Sequence, residues 1–375
     1  MKIIEIFGGE PINKGGQQSF VLYTLQNMDL SDAEVDLFTP YYADNEELIR
    51  FVQSHNGQIY AGGLPYIVGQ SRTKMISPLR DFLANHHYDV AHIHSGSITA
   101  LAYSAREASK AGIPKVIVHS HSSGAKENIK HRLVKAYAAP FFTKYATNYC
   151  ACSMEAAKWK FPRNVMIKAQ IINNGIDVDY FAFDPYVRKD MRDQYGIDDD
   201  TLILGHVGRF TFEKNQAFLI QLLKTYKERY NRQHVKLVLI GDGPDKPRII
   251  AKAQEYGLMS DVLFPTEYDK VRDYLQMFDI FLFPSLYEGL GIAAIEAQAS
   301  GLPVIASTGV PLEMKHIEKV EYVSIADKEQ WCNAIESFKS IGRKDERSRF
   351  HGSRFDIKET AKRIEKLYKS KDEKK

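Results

Sequence analysis

The chain has 375 residues, of which 44% are hydrophobic and 26% charged. This length and composition are typical of a globular protein with two domains, and nothing in them indicates a wholly disordered chain. The 50 basic and 47 acidic residues nearly balance to a net charge of +3, which does not favour a general nucleic-acid binder.

The first half of the chain alternates short apolar runs with helical patterns. Residues 3–7, 35–38, 90–93 and 116–118 form runs typical of buried strands. A helical pattern covers residues 98–110 and ends at Gly112, with Pro114 beyond it. Strands that alternate with helices in this way predict an α/β fold, a parallel sheet with helices on both faces.

The same alternation restarts in the second half. Apolar runs at residues 202–207, 236–240, 262–264, 280–283 and 304–306 predict a second parallel sheet. The polar stretch 181–201, which ends in three consecutive aspartates, is interpreted as a hinge region between two similar domains. Open parallel sheets bind ligands at the carboxyl ends of their strands, so we expect a ligand cleft where the two domains face each other.

The strongest motif is a glycine-rich loop between a predicted strand and an alanine-rich helix, at residues 284–297. The glycines indicate that Glu288 lies in the loop, whereas Glu296 lies inside the helix. Two carboxylates placed in this way can accept hydrogen bonds from different hydroxyl groups of one ligand. The helix N terminus at Gly291 offers free N–H groups to a phosphate, and Gly289 lets the backbone approach closely. Without this context, two surface glutamates would be the simpler interpretation.

Two other loops follow predicted strands of the second half. In the first, Arg209 and Lys214 can hold a diphosphate, the arginine through its planar fork and the lysine as a point charge. A solvated basic loop is the alternative. The second loop turns at Gly241, but Lys246 occupies the position of the last glycine of a dinucleotide fingerprint, so a nicotinamide cofactor is not predicted.

The first half also has glycines and histidines at predicted strand ends. Lys14, Gly15 and Gly16 follow the first strand, where adjacent glycines indicate either a close ligand or a hairpin-like turn. Further strand ends carry histidines that can donate to a sugar hydroxyl or a phosphate oxygen. These histidines are His92, His94, His119 and His121. No carboxylate lies near them in sequence to complete a metal site, so no metal is predicted.

Together these motifs resemble the retaining glycosyltransferases of family 4, which have the GT-B fold. The matching residues are the loop and helix from Glu288 to Glu296, the pair Arg209 and Lys214, and the segments 172–177 and 297–306. The segments 119–153 and 311–313 look most like bacterial enzymes of capsular and exopolysaccharide assembly. The resemblance implies two Rossmann-like domains, at 1–172 on the acceptor side and 173–354 on the donor side, with a helix in 355–375 that crosses back.

The resemblance also implies a role for each matched residue. Arg209 and Lys214 would hold the diphosphate, Glu296 the ribose and Glu288 the donor sugar, while His121 would lie near that sugar. Catalysis is assigned to Glu288, His121, Arg209 and Lys214. Donor binding is assigned to Gly16, Arg209, Lys214, Gly241, Phe264, Thr266, Glu288, Gly289, Leu290, Gly291 and Glu296. Ser122 stands where the family often has aspartate, which leaves the choice between His119 and His121 open, and Val310 replaces a second glycine after Gly309.

The implied reaction is transfer of a hexosyl group from a nucleotide diphosphate sugar, by resemblance a UDP-sugar, to a glycan or lipid-linked acceptor. Retention of configuration and independence from metal and cofactor are expected. Two alternatives are a nucleotide-sugar epimerase on the same scaffold and a silent nucleotide-sugar-binding subunit. The intact set of four charged residues argues against the silent subunit.

Composition and charge patterning indicate the compartment. The odd cysteine count (Cys150, Cys152 and Cys332) and the early Glu5 favour a cytoplasmic protein without a signal peptide or disulfides. A segment rich in basic and apolar residues could lie on the inner face of the membrane, although a solvated helix packed on the first domain is the alternative. Its residues are Lys126, Lys130, Arg132, Lys135 and Lys144, with Leu133, Val134, Tyr137, Phe141 and Phe142.

Overall fold

A computed structural model describes residues 1–13, 15–67, 72–124 and 127–370. The chain divides into two compact units. The first comprises Met1–Gly175 together with the C-terminal segment that begins at Arg354, and the second comprises Ile176–Ser353. Each unit has its own parallel sheet.

The first unit contains strands that alternate with helices along the chain. Its strands are β1 (Lys2–Phe7), β2 (Glu34–Thr39), β3 (Ile59–Ala61), β4 (Val90–His94), β5 (Lys115–Ser120), β6 (Asn148–Ala151) and β7 (Gln170–Ile171). Its helices are α1 (Gly16–Gln26), α2 (Glu46–Ser54), α3 (Ile76–Ala84), α4 (Ile98–Lys110), α5 (Ile129–Tyr145), α6 (Met154–Lys160) and α7 (Arg163–Met166), with a 3-10 turn at Arg72–Met75. The strand order is β3-β2-β1-β4-β5-β6-β7, with parallel neighbours. This is the arrangement of a doubly wound sheet.

The second unit repeats the pattern. Its strands are β8 (Leu202–Val207), β9 (Val235–Ile240), β10 (Val262–Leu263), β11 (Ile280–Phe283), β12 (Val304–Ser307) and β13 (Val320–Val323), in the order β10-β9-β8-β11-β12-β13. Its helices are α8 (Val178–Phe181), α9 (Pro185–Gln194), α10 (Gln216–Tyr230), α11 (Lys246–Glu255), α12 (Val271–Met277), α13 (Ile292–Ala299), α14 (Lys328–Phe338) and α15 (Arg347–Phe350), with 3-10 turns at Phe212–Lys214 and Leu312–Met314. The predicted parallel α/β architecture is confirmed.

The last helix, α16 (Ile357–Lys369), packs within the first unit. The ammonium group of Lys115 on β5 donates to the carbonyl oxygen of Leu367 at 2.7 Å and to the hydroxyl of Ser370 at 2.9 Å. A cation at a helix C terminus pairs with the last carbonyl groups and with the negative end of the helix dipole. This buried contact holds the end of α16 against the sheet.

The polar stretch at residues 181–201, which the sequence suggested as a hinge, instead lies inside the second unit. Asp184 accepts from the backbone N–H groups of Tyr186 and Val187 and so caps α9, with Pro185 at the first helical position. Arg188 of α9 then pairs with Asp279 at 2.6 Å. The hinge interpretation was wrong because polar composition alone does not distinguish a linker from a helix with one packed face.

Within the described part of the chain, no helix has both the length and the apolar character needed to cross a membrane. Of the helices, α4 matches its predicted bounds, since Ser97 caps it and it ends before Gly112. The carboxyl ends of the strands carry the loops in which the motifs lie.

Candidate active site

In the second unit, the loop after β8 is bonded to the loop after β11. The backbone N–H of Leu286 donates to the carbonyl oxygen of Glu213 at 2.7 Å. The side-chain amide of Asn215 donates to the carbonyl oxygen of Pro284 at 3.3 Å. Asn215 adopts a left-handed conformation (φ 55°), which turns the chain from the loop into α10. The two motifs that were strongest in the sequence therefore form one surface at the carboxyl edge of the second sheet.

Two predicted site residues meet on this surface. Lys214 Nζ lies 2.5 Å from Glu288 Oε1 and 5.5 Å from the centre of the Phe283 ring. The side chains of Lys214 and Glu288 are 22% and 11% exposed. The sequence assigned these two residues separate roles and did not predict their contact. Both charges have lost most of their contact with water, which is costly. The ion pair compensates part of that cost, so we expect the two side chains to stay paired.

Helix α13 begins at the end of the same loop. Gly291 precedes it with φ +91°, and a Cβ there would lie 2.9 Å from a ring carbon of Phe283, so only glycine fits. Within the described residues no side chain caps this end, and the N–H groups of Ile292 and Ala293 donate to no other group, so they can bind a ligand. Leu290 as a whole is buried, at 4% exposure, so its side chain offers little surface to a ligand.

Glu296 lies one turn into α13 and is partly exposed. Burial raises the pKa of its carboxyl group from the ordinary value of 4.5 to about 8. Among the described residues, no side chain or backbone N–H donates a hydrogen bond to this carboxylate. A carboxyl group whose pKa is raised by desolvation and that lacks a hydrogen-bond partner is a recognised mark of a binding site, because a ligand can supply the missing hydrogen bonds.

Arg209 and Gly241 lie at the ends of β8 and β9. The Arg209 side chain is exposed and forms no ion pair within the described part of the chain. Gly241 has φ +139°, and a Cβ there would lie 2.2 Å from the carbonyl oxygen of Gly208. The N–H of Phe210 donates to Asp242 O at 2.7 Å, so the two loops are joined by their backbones. The approach of the neighbouring loop is therefore enough to require glycine at position 241, whatever its contact with a ligand.

Phe264 and Thr266 follow β10. Phe264 is half-buried against the core of the second unit, with its ring centre 6.4 Å from that of Phe210. Thr266 is exposed. In this structure Phe264 therefore presents only part of its surface to a ligand, and Thr266 is the more accessible of the two.

In the first unit, Gly16 begins α1 and is exposed. A Cβ at this position would meet no atom of the described residues within 4 Å, and Gly16 does not have a positive φ. The packing of the chain therefore does not require glycine here. The neighbouring Lys14, which was part of the same predicted motif, lies outside the described residues.

The four histidines of the first unit form one hydrogen-bonded network with two residues that the sequence did not single out as site residues. Its contacts are Glu5 Oε2–His94 Nε2 at 2.6 Å, His94 Nδ1–His121 Nε2 at 2.8 Å, Glu5 Oε1–Tyr368 Oη at 2.6 Å, Tyr368 Oη–His92 Nδ1 at 2.6 Å and His92 Nε2–His119 Nδ1 at 3.1 Å. Burial lowers the pKa of His94 to about 4 and holds the pKa values of His119 and His121 well below the ordinary range. His119 is fully buried, whereas His121 is partly exposed.

The network corrects one step of the sequence argument. Because no carboxylate lies near the histidines in sequence, a metal site was not predicted, yet β1 brings Glu5 into contact with them. Ligand atoms of His92, His94 and His119 lie within 4.8 Å of one another, close enough for a metal site to be considered. The one signal in the sequence was a glutamate within an otherwise apolar strand.

Helix α5 carries the basic and apolar segment. Ile129, Leu133 and Tyr137, four residues apart, are 77%, 65% and 56% exposed and form an apolar stripe on one face. Lys130 and Arg132 are exposed beside it. Two other members do not belong to this surface, which corrects the sequence interpretation. Phe142 is fully buried, and Lys135 pairs with Glu127 at 2.5 Å. Lys126 lies outside the described residues.

Comparison with known proteins gives consistent matches along the chain. A model of Glycosyltransferase Family 4 matches residues 14–180, and a model of Glycosyl transferases group 1 matches residues 187–350. The chain is 33% identical over 314 residues to a Bacillus subtilis (strain 168) protein named as glycosyltransferase EpsF, covering 82% of this chain and 79% of that protein. It is 27% identical over 304 residues to the capsular polysaccharide biosynthesis glycosyltransferase CapH of Staphylococcus aureus. This match covers 76% of this chain and 77% of CapH.

Among solved structures, the fold is similar to that of HepE from Anabaena, crystallised in complex with UDP. The TM-score is 0.75 at 18% sequence identity, and the match covers 97% of this chain and 98% of HepE. At this identity the similarity concerns the fold, which is of the GT-B type.

Proposed function

The chain belongs to glycosyltransferase family 4, and we propose that it transfers a hexosyl group from a UDP-sugar to a glycan or lipid-linked sugar acceptor in capsule or exopolysaccharide synthesis, with retention of configuration. The names of EpsF and CapH and the UDP bound to HepE support this choice of pathway and donor.

The observation that carries the proposal is the joined surface of the second unit. Arg209, Lys214, Glu288, Glu296 and the N terminus of α13 lie on loops and a helix at the carboxyl edge of one sheet. A leaving diphosphate develops negative charge, which two cations and free N–H groups stabilise. The carboxylates accept from hydroxyl groups, Glu296 from the ribose and Glu288 from the donor sugar.

The proposed chemical step needs no protein nucleophile. The bond between the anomeric carbon and the diphosphate oxygen breaks, and the acceptor hydroxyl forms its bond on the same face. The proton of that hydroxyl passes to an oxygen of the leaving diphosphate, so that charge and atoms balance. Because Arg209 and Lys214 supply positive charge at the diphosphate, we propose that no metal is required. By the family resemblance, we also propose His121 and Gly16 as residues that contact the donor.

The test is an assay of the full chain with a panel of UDP-sugars and sugar acceptors. We expect a product whose anomeric configuration, determined by NMR, is that of the donor, with rates unchanged by EDTA. Lys214→Ala and Glu288→Ala should each abolish transfer. Lys227→Ala is the matched control, since Lys227 and Asp261 form an ion pair elsewhere in the same unit with similar burial, at 17% and 14% exposure.

Three outcomes would contradict the proposal. A new sugar nucleotide formed without acceptor would indicate an epimerase. Donor binding without turnover over the whole panel would indicate a silent binding subunit. Full activity of the folded Lys214→Ala and Glu288→Ala variants would show that the chemistry lies elsewhere.

We further propose that the protein works at the inner face of the cytoplasmic membrane, with α5 toward the lipid. The apolar stripe of Ile129, Leu133 and Tyr137 can enter the headgroup region, while Lys130 and Arg132 meet anionic lipid. A lipid-linked acceptor would be found at that surface.

A further inference from the structure

A carboxylate in the middle of the first sheet needs a physical reason. Glu5 lies on β1 between Ile4 and Ile6, and its residue is 1% exposed. A buried charge is costly unless every lone pair that faces the protein has a donor. In register, Glu5 stands opposite His92 of β4. His94 and Tyr368 are the donors to the two carboxylate oxygens of Glu5. The branch through His94 ends at His121.

The first branch runs from Glu5 through His94 to His121. An ionised carboxylate only accepts, so His94 must donate to it from Nε2. A neutral imidazole has one N–H, so Nδ1 of His94 carries an electron pair and can only accept. His121 therefore donates to it from Nε2. This leaves Nδ1 of His121 as an acceptor; the atom is buried, and within the described part of the chain it has no hydrogen-bond partner.

The second branch runs from Glu5 through Tyr368 of α16. The Tyr368 hydroxyl donates its single proton to Glu5 Oε1 and so must accept from Nδ1 of His92. Nε2 of neutral His92 then accepts from Nδ1 of His119. With Glu5 ionised and the histidines neutral, one arrangement of protons satisfies every contact. Tyr368 thus donates to Oε1 of Glu5 and leaves Oε2 for His94.

We propose that Glu5 is a positioning residue for the transfer reaction, which through His94 fixes His121 with its proton on Nε2 and a free electron pair on Nδ1. This inference rests on the proposed function, in which His121 contacts the donor sugar. In that state His121 accepts a hydrogen bond from a sugar hydroxyl, a bond that the folded chain leaves unmade. The role of Glu5 matches that of a carboxylate that sets the tautomer of a histidine in a catalytic triad.

A metal ion would be the other use of such a cluster. One ligand atom of each of His92, His94 and His119 lies within 4.8 Å of the others, but most of these nitrogens already form hydrogen bonds. Nε2 of His92 faces Nδ1 of His119, whereas Nε2 of His94 faces Glu5 and its Nδ1 faces His121. A metal would have to replace these hydrogen bonds, so the contacts favour the protonated network.

The experiment measures the tautomers directly. The full chain, purified without chelator and labelled with ¹⁵N-histidine, gives nitrogen–proton correlation spectra at pH 8, with single His→Asn variants for assignment. We expect His94 and His121 protonated on Nε2, and His92 and His119 on Nδ1. In Glu5→Gln the side chain has one oxygen that can accept, but two groups donate to it. The histidine tautomers of at least one branch should therefore reverse or become a mixture. Tyr368→Phe should alter the His92 and His119 signals more than those of His94 and His121.

The kinetic arm separates positioning from stability. Glu5→Gln should lower kcat by about tenfold to a hundredfold, as loss of one well-placed hydrogen bond predicts, with little change in the KM for the donor. Asp36→Asn is the control, because Asp36 is a fully buried carboxylate on the adjacent β2 that accepts from the Tyr88 hydroxyl at 2.7 Å. It should leave the four tautomers and kcat unchanged.

The inference is overturned if His121 in the wild-type chain is protonated on Nδ1, or if Glu5→Gln leaves both the tautomers and kcat unchanged. One equivalent of bound transition metal, measured by elemental analysis, would also overturn it. The tautomer measurement needs no substrate, so it stands if no donor or acceptor supports turnover. A fully active His121→Ala variant with the expected wild-type tautomers would refute the proposed role of His121 and with it the catalytic use of the network.

Discussion

Lys214 and Glu288, 74 residues apart in sequence, form an ion pair with Nζ and Oε1 2.5 Å apart. Backbone and side-chain hydrogen bonds between the loops after β8 and β11 hold these two residues at the same edge of the sheet. A diphosphate would give Lys214 new acceptors, while a sugar hydroxyl would give Glu288 a new donor. The ion pair thus lies between the two parts of the proposed donor, the diphosphate and the hexose.

The first prediction separates the roles of these two residues. Lys214→Met removes a charge-assisted hydrogen bond to the diphosphate, worth about 1.5–3 kcal/mol, so UDP should bind roughly tenfold to a hundredfold more weakly. Glu288→Gln frees Lys214 from its partner, so UDP, which has no sugar, should bind at least as tightly as to the wild type, while transfer is lost. Titration calorimetry with UDP measures both, with Lys227→Met as control. Equal weakening by both variants would contradict the assignment.

The second prediction concerns pH and Glu296. Burial raises the pKa of this carboxyl group to about 8, and ribose hydroxyls donate best to its ionised form. The affinity for UDP should therefore rise from pH 6.5 to pH 8.5 more steeply in the wild type than in Glu296→Gln. The comparison removes the titration of UDP itself, which both proteins share. Parallel pH profiles would show that Glu296 does not contact the ribose.

The same pKa shift has a consequence for stability. Because the folded-state pKa lies above the unfolded value of 4.5, the folded protein holds the proton more tightly than the unfolded one. The contribution of Glu296 to stability is fully present below pH 4.5 and is lost as pH rises toward 8. Urea unfolding should show that Glu296→Gln is more stable than the wild type at pH 8.5, with the difference shrinking as pH falls. A constant difference would contradict the raised pKa.

The third prediction uses the open space at Gly16. An added Cβ meets no atom of the described residues within 4 Å, so Gly16→Ala should not lower stability. It should nevertheless weaken donor or acceptor binding, because the methyl group would occupy space that the proposal gives to a ligand. Gly342→Ala, at a glycine with the same open surroundings in the second unit, is the control and should change neither. Unchanged KM values for Gly16→Ala would remove Gly16 from the site.

Local patterns in the sequence were enough to predict nine of the thirteen strands in the described residues, whereas β3, β6, β7 and β13 were not predicted. An apolar run and the glycines around Glu288 can be recognised from residues that are neighbours in sequence. They were enough to identify Glu288 as a candidate site residue in a loop after a strand. The pairing of Glu288 with Lys214 was not predicted, because it depends on how the loops after β8 and β11 are bonded. Family resemblance named both residues but could not give their distance.

Other features depend on register and helix packing, which the sequence alone does not fix. Glu5 stood out only as a charge in an apolar run, and its partners on β4 and α16 lie 89 and 363 residues away. On α5, composition counted Phe142 with the exposed apolar residues, although the helix turns it into the core. In each case the missing information was the direction of a side chain relative to a distant element.

The last prediction tests α5 as a membrane surface. Each basic residue near anionic lipid contributes about 1 kcal/mol, so Lys130→Gln with Arg132→Gln should lower partitioning onto anionic vesicles about thirtyfold. The control changes two exposed lysines elsewhere, Lys110→Gln with Lys344→Gln, and should retain binding. Leu133→Ser should weaken binding at both low and high salt, because its contribution is burial of apolar surface rather than charge. Sedimentation with vesicles with and without anionic lipid measures these effects. Wild-type protein that stays in the supernatant with anionic vesicles at low salt would show that α5 faces water.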